Sequence, residues 1–267
     1  MGLFSGVGVA LVTIFDESGN VDLAATTRHA QDLVQRGMQS VLVAGTTGEA
    51  GQLTDAERVA LIEAVRAALP ESVPVLAGTG AATTAAAVAL TKAAVQAGAD
   101  AILAYPPPGC GTDPAAGGTA EPEAAQLLAF FTALAQAAGA KPTLAYHIPW
   151  ISAPGVPVSQ LAGLPIIGQK DSSGNPDRLL DELAHYPGAT YVGSSALLAL
   201  AGPMGGAGAI LAIANVEPER CVRAFGGDVT AQRELADTHL AVRAGGPVAL
   251  KRILASRSEY PATSRLS

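Results

Sequence analysis

VPVLAGTGAATTAAAVALTKAAVQAGADAILAY, residues 73–105, decides the fold. Residues 73–78 are a short apolar run of strand type, 83–97 place small apolar residues at helical spacing, and 101–105 are a second apolar run. Two such strands, apolar on both faces and separated by one helix, are joined most simply by a parallel crossover. The unit recurs along the chain. Strand-like runs fall at 6–15, 40–45, 73–78, 101–105, 143–147, 166–170, 190–193 and 209–214. Helical patterns fall at 22–36, 54–69, 83–97, 121–138, 158–163, 175–185, 195–203 and 217–225. Eight of each predict an α/β fold, a TIM (β/α)8 barrel over residues 1–225, with a doubly wound sheet as the alternative. Residues 226–267 read as a short C-terminal helical extension of the same structural unit. Two helices are expected there, packed under or beside the barrel, followed by a polar, frayed end.

The bulk properties agree. The chain has 267 residues, 49% of them hydrophobic and 15% charged, which suits one large globular domain and excludes a disordered or collagenous chain. Its 55 alanines and 30 glycines favour helices packed closely on a sheet. Thr54-Asp55-Ala56-Glu57 reads as a capping box, and Asp22 and Asn175-Pro176 as helix starts. A net charge of −7 gives no general attraction for nucleic acid, so an anionic substrate needs local capture. Cys110 and Cys221 form neither a disulfide framework nor a zinc or redox pair, which points to the cytoplasm. Residues 1–15 are apolar without a basic leader, and no apolar run long enough to span a membrane follows.

Several chemistries are excluded by absence of their motifs. There is no phosphate-binding P-loop, Gly78-Thr79-Gly80 is only a degraded dinucleotide fingerprint, and no Gly-x-Ser-x-Gly elbow occurs. The four histidines show no metal-ligand spacing. What remains is Lys170, at the end of the apolar run Leu164–Lys170 and followed by Asp171-Ser172-Ser173-Gly174. A lysine inside a barrel is desolvated, which disfavours the ammonium and frees the amine to attack a carbonyl. Alone, it is a weak signal and better suits a lysine snorkelling to solvent or pairing with Asp171. Gly45-Thr46-Thr47-Gly48-Glu49 ends the second strand, where amides and hydroxyls suit a carboxylate, and Tyr146 ends the fifth. All three lie at strand C-termini and converge on one mouth.

These motifs, with Tyr146-His147-Ile148-Pro149 and Ala212-Ile213-Ala214-Asn215-Val216, resemble the dihydrodipicolinate synthase and N-acetylneuraminate lyase family of class I aldolases. The resemblance runs from about residue 6 to about residue 225. It implies a pyruvate-dependent lyase without metal or organic cofactor, forming or cleaving a 4-hydroxy-2-oxo acid with an aldehyde as partner, and a homo-oligomer, usually tetrameric. By resemblance Lys170 is the imine-forming lysine and Tyr146 the proton-relaying phenol. Thr46 and Thr47 hold the substrate carboxylate, and Thr47 or its neighbour joins the relay. Gly48, Gly193 and Ile210 are the remaining substrate-binding positions; His147, which replaces the family's usual asparagine, either bonds substrate, tunes Tyr146 or plays a structural part behind the site.

Departures from the family pattern matter as much. Ile151 stands where the synthases carry an arginine for the second substrate's carboxylate. After strand four the segment is Tyr105-Pro106-Pro107-Pro108 rather than paired aromatics, so Tyr105 is either a relay hydroxyl or a packed strand residue. Trp150, the only tryptophan, lines an apolar pocket or simply packs. Residues 106–122, with five prolines and four glycines, read as a lid or interface loop. A 4-hydroxy-tetrahydrodipicolinate synthase, a sugar-acid dehydratase using the same imine, and a non-catalytic 2-oxo-acid-binding protein are the alternatives.

Overall fold

The computed structural model describes residues 2–110 and 124–266. Most of the proline-rich 106–122 stretch therefore lies outside the described residues. Eight parallel strands close on themselves in sequence order: β1 Gly6–Ala10, β2 Val41–Val43, β3 Val75–Gly78, β4 Ala101–Ala104, β5 Thr143–His147, β6 Gly168–Asp171, β7 Ala189–Val192 and β8 Gly208–Leu211. Closure is made by β1 on β8, with Gly6 opposite Gly208 and Val9 opposite Leu211. The crossover helices are α1 Leu23–Gln35, α2 Asp55–Ala68, α3 Thr84–Gln96, α4 Ala124–Ala138, α5 Val158–Leu161, α6 Pro176–His185, α7 Leu198–Ala201 and α8 Pro218–Phe225. Two more follow, α9 Val229–Glu234 and α10 Ala236–Arg257. Among the described residues no helix is long and apolar enough to cross a membrane. The doubly wound alternative is excluded by the closed sheet.

The helix starts obey their local signals. Asp22 accepts from the Ala25 amide, Asn175 from those of Asp177 and Arg178, and Thr54 with Glu57 forms the reciprocal capping box. Strand ends differ more. The 6–15 run is strand only to Ala10, because beyond it the Val12 amide donates to the Asn215 carboxamide, not to a neighbouring strand. Asn215 in turn donates to the Ala10 and Ala212 carbonyls, clasping the ends of β1 and β8. Its segment, Ile213–Asn215, is a 3-10 turn instead of the tail of a strand.

Side chains alternate along each strand, so one set fills the barrel and the other meets the helices. The inner set includes Leu42, Leu76, Leu103, Leu144, Tyr146, Tyr191 and Ile210. Phe4 stacks on Tyr191 at 4.6 Å and accepts the tyrosine's hydroxyl proton at its carbonyl, 3.0 Å away. Residues before β1 thus plug the barrel interior.

The C-terminal extension corrects two expectations. α10 does not pack under or beside the barrel: His239, Val242, Arg243, Gly246, Pro247 and Leu250 line the same cavity as strand-end residues Tyr146 and Lys170. The helix breaks at Gly246 (φ 55°, ψ −144°), and Pro247 begins its second half. Nor is the end frayed. Arg265 pairs with Glu57 at 2.6 Å and its guanidinium lies 4.5 Å from the Phe15 ring centre, while Ser264 Oγ and the Arg265 amide donate to Glu49 at 3.0 and 2.8 Å.

Candidate active site

Tyr146 and Lys170 are opposite one another in the β5–β6 register, both buried and both directed into the barrel. Lys170 Nζ donates to Tyr146 Oη at 3.4 Å and sits 4.4 Å from the centre of its ring. Ser172 Oγ donates to the same phenol oxygen at 3.2 Å. Two donors thus converge on one phenol oxygen, which places it to exchange a proton with a molecule held in the barrel mouth. Sequence reasoning missed Ser172. Its signal was available, because a residue two after Lys170 on an extended backbone returns to the same face.

These side chains open into a cavity of about 510 Å³ that is also lined by Thr46, Thr47 and Gly193. Thr46 and Thr47 stand on the tight turn after β2, where the Gly48 amide donates to the Gly45 carbonyl and the Glu49 amide to that of Thr46. Glu49 is left-handed (φ 56°), and its carboxylate is buried against Lys251 of α10 at 2.5 Å. Gly193 is a steric requirement: a Cβ there would lie 2.9 Å from Lys170 Cε and 2.0 Å from Ser172 Oγ. Trp150 is 63% exposed and lines the cavity. Tyr105, half-buried, stands with its ring 6.3 Å from that of Tyr146 and lines a smaller neighbouring cavity with Ile151.

Three expected binding residues do not line the main cavity. Gly48 is buried behind its turn, where its carbonyl accepts from Thr13 Oγ1 at 2.7 Å. Ile210 is fully buried in the barrel's inner apolar cluster, and Leu211, Ala212 and Ile213 reach the cavity instead. His147 follows the inward Tyr146 and so points outward. Its Nδ1 accepts from the Val156 amide at 3.1 Å, which fixes the loop after β5. Arg178 holds the same loop by donating to the Val156 carbonyl at 2.8 Å, and pairs with Glu182 at 2.7 Å. Burial, helped by the charge of Asp171, pushes Glu182 up to about 7 against that pairing.

Burial, and then the charge of Arg178, drives His147 down to about 3, so the ring is neutral in the fold. An unfolded histidine takes its proton near pH 6.5. Its contribution to stability is therefore full above about pH 6.5 and is lost as pH falls toward the folded value. The stability difference between wild type and His147→Asn is expected to shrink by about 1.4 kcal/mol per pH unit across that window. Urea titrations at pH 7 and pH 5 measure it, and a difference constant with pH would contradict a neutral ring.

Among the described residues no three His, Cys, Asp or Glu side chains are grouped to hold a metal ion. A buried amine touching a phenol at the C-terminal mouth of a closed parallel barrel suits imine chemistry, the class of the Schiff-base-forming carbon–carbon lyases to which the family match assigns the chain. The sequence model of the dihydrodipicolinate synthetase family matches residues 3–239, and the chain belongs to that family. It is 33% identical to an uncharacterized DapA-like lyase of Chloroflexus aurantiacus, over 97% of this chain and 89% of that one. It is also 33% identical to a 4-hydroxy-tetrahydrodipicolinate synthase of Dechloromonas aromatica, over 87% and 80% respectively. Among solved structures, dihydrodipicolinate synthase from Aquifex aeolicus superposes with a TM-score of 0.85 at 28% identity, covering 98% of this chain and 91% of that one. The chloride-inhibited dihydrodipicolinate synthase from Acinetobacter baumannii, complexed with pyruvate, gives 0.87 at 25%, covering 99% and 92%.

Proposed function

We propose that the protein is a pyruvate-dependent lyase that cleaves or forms a 4-hydroxy-2-oxo acid through an imine on Lys170. The observation that carries this reading is the contact of Lys170 Nζ with Tyr146 Oη, 3.4 Å, in a cavity walled by Thr46 and Thr47. The amine adds to the C2 carbonyl and water leaves, giving a protonated imine. In cleavage the C4 hydroxyl gives its proton to Tyr146, the C3–C4 bond breaks, and its electron pair moves through C3 to the imine nitrogen. An aldehyde departs. The resulting enamine takes a proton at C3, and hydrolysis releases pyruvate and the free lysine. Thr46 and Thr47 offer hydroxyls to the C1 carboxylate, and Ser172 steadies the phenol oxygen through both protonation states. A pyruvate complex of a related synthase supports the choice of 2-oxo acid. The family's homo-oligomeric, cytoplasmic setting belongs to the same proposal.

Several relatives are named 4-hydroxy-tetrahydrodipicolinate synthases, which keeps that activity as the second reading. Ile151, packed against the barrel's inner cluster, weighs against it, because it offers a second substrate no charge. Incubation with pyruvate and borohydride tests the primary reading. Intact mass should rise by one reduced pyruvate, mapped to Lys170. No adduct on folded protein would remove the imine mechanism and favour a reversible binder.

A further inference from the structure

The cavity of about 510 Å³ is sized for a whole small-molecule ligand, in a range of roughly 300–1,000 Å³, and pyruvate fills only part of it. Strand ends supply the chemistry, and α10 supplies another part of the wall. On that wall stands Arg243, whose Nη1 lies 3.9 Å from where a Cβ on Gly174 would be, so the guanidinium rests against the loop that follows Lys170. Seven arginines of the chain pair with carboxylates. Arg243 has no such partner among the described residues. It is a cation without an anion, on the wall of the reacting cavity.

Its neighbours are polar and uncharged. His239 Nδ1 lies 2.8 Å from Ser195 Oγ, and both residues line the cavity. Burial, and then the charge of Arg243, holds the imidazole below its usual value, so the ring is neutral at neutral pH. In the tautomer whose Nδ1 accepts from Ser195, the other ring nitrogen carries the proton and is a second donor.

We propose that Arg243, flanked by His239 and Ser195, binds the carboxylate at the far end of a 4-hydroxy-2-oxo dicarboxylic acid. This rests on the imine reading of Lys170. A guanidinium matches a carboxylate with two parallel hydrogen bonds, and a chain of net charge −7 captures an acid only through such a local cation. Ile151 supplies none. The cation therefore comes from α10 rather than from the loop after β5. One positive charge among neutral donors fits a monoanion, whereas a phosphate dianion would leave charge unpaired.

The test compares 4-hydroxy-2-oxo acids of equal length ending in a carboxylate, a neutral hydroxymethyl group or a phosphate ester. Wild type should favour the carboxylate over the neutral acid by about tenfold to a hundredfold in kcat/KM, mainly through KM. Arg243→Met should reduce that ratio to near one, and Arg243→Lys should restore part of it. A ratio unchanged in Arg243→Met, or an Arg243-dependent preference for the phosphate ester, overturns the proposal. A second arm is independent of turnover. In Lys170→Ala, calorimetry should find a 2-oxo dicarboxylic acid binding more tightly than its ω-methyl ester, and adding Arg243→Met should erase the difference. Equal binding of acid and ester overturns the Arg243 assignment, while a missing pyruvate adduct on wild type overturns only the imine reading.

Discussion

Lys170→Ala is expected to abolish the borohydride-trapped pyruvate adduct and to lower aldol turnover by on the order of 10⁴-fold or more, with the fold intact. Among the described residues no other lysine lines the cavity, and the other buried one, Lys251, is paired with Glu49. Stability should barely change, because the amine's polar contact is with a phenol oxygen that keeps Ser172 as donor. Tyr146→Phe separates the two roles. It should slow turnover by about 10²- to 10⁴-fold, the usual contribution of a positioned acid–base group, while the adduct still forms. Mass spectrometry and pyruvate release read the two effects. An adduct surviving Lys170→Ala, or full turnover in Tyr146→Phe, would reassign the chemistry.

The largest stability loss is expected at Lys251→Met, about 3–5 kcal/mol. Lys251 and Glu49 are both buried, 2.5 Å apart, and the Lys251 ammonium also lies 4.0 Å from the centre of the Phe15 ring and donates to the Thr263 carbonyl. Removing the cation leaves a carboxylate in an apolar setting with, among the described residues, only Ser264 and the Arg265 amide as donors. The loss should reach the chemistry as well, because Glu49 closes the turn that carries Thr46 and Thr47, so KM for the 2-oxo acid should rise. Adding Glu49→Gln should recover part of the stability. Urea unfolding of the single and double variants decides, and a loss below about 1 kcal/mol would mean that water reaches the pair.

The barrel was legible because its signals are local. Apolar runs of strand length alternate with helical spacing, and caps at Asp22, Thr54 and Asn175 mark where helices begin. Lys170, Tyr146, Thr46 and Thr47 were legible through motifs at strand ends, and the structure brings them to one cavity. His147 was left open between substrate and a structural part, and a parity argument decides between them: once Tyr146 points inward, its neighbour cannot. Ile210 shows the limit of depth, since an inward residue one position too early lies in the apolar layer and not at the mouth. Arg243, His239 and Arg265 had no local signal at all. Their places depend on how α10 folds back over the barrel, which no nearby spacing encodes.

The clasp on Glu49 has a consequence for how the protein is made. A chain leaves the ribosome from its amino terminus, and domains tend to fold in that order. Glu49 emerges 215 residues ahead of Ser264, and the Ala10 carbonyl 205 residues ahead of the Asn215 amide that clasps it. A nascent chain can thus build helices and strand pairs from β1 onward while the Gly45–Glu49 turn still lacks its clamp. The turn that bears Thr46 and Thr47 is therefore completed only after Lys170 and Tyr146 have been made, so the cavity is the last part of the barrel to be finished.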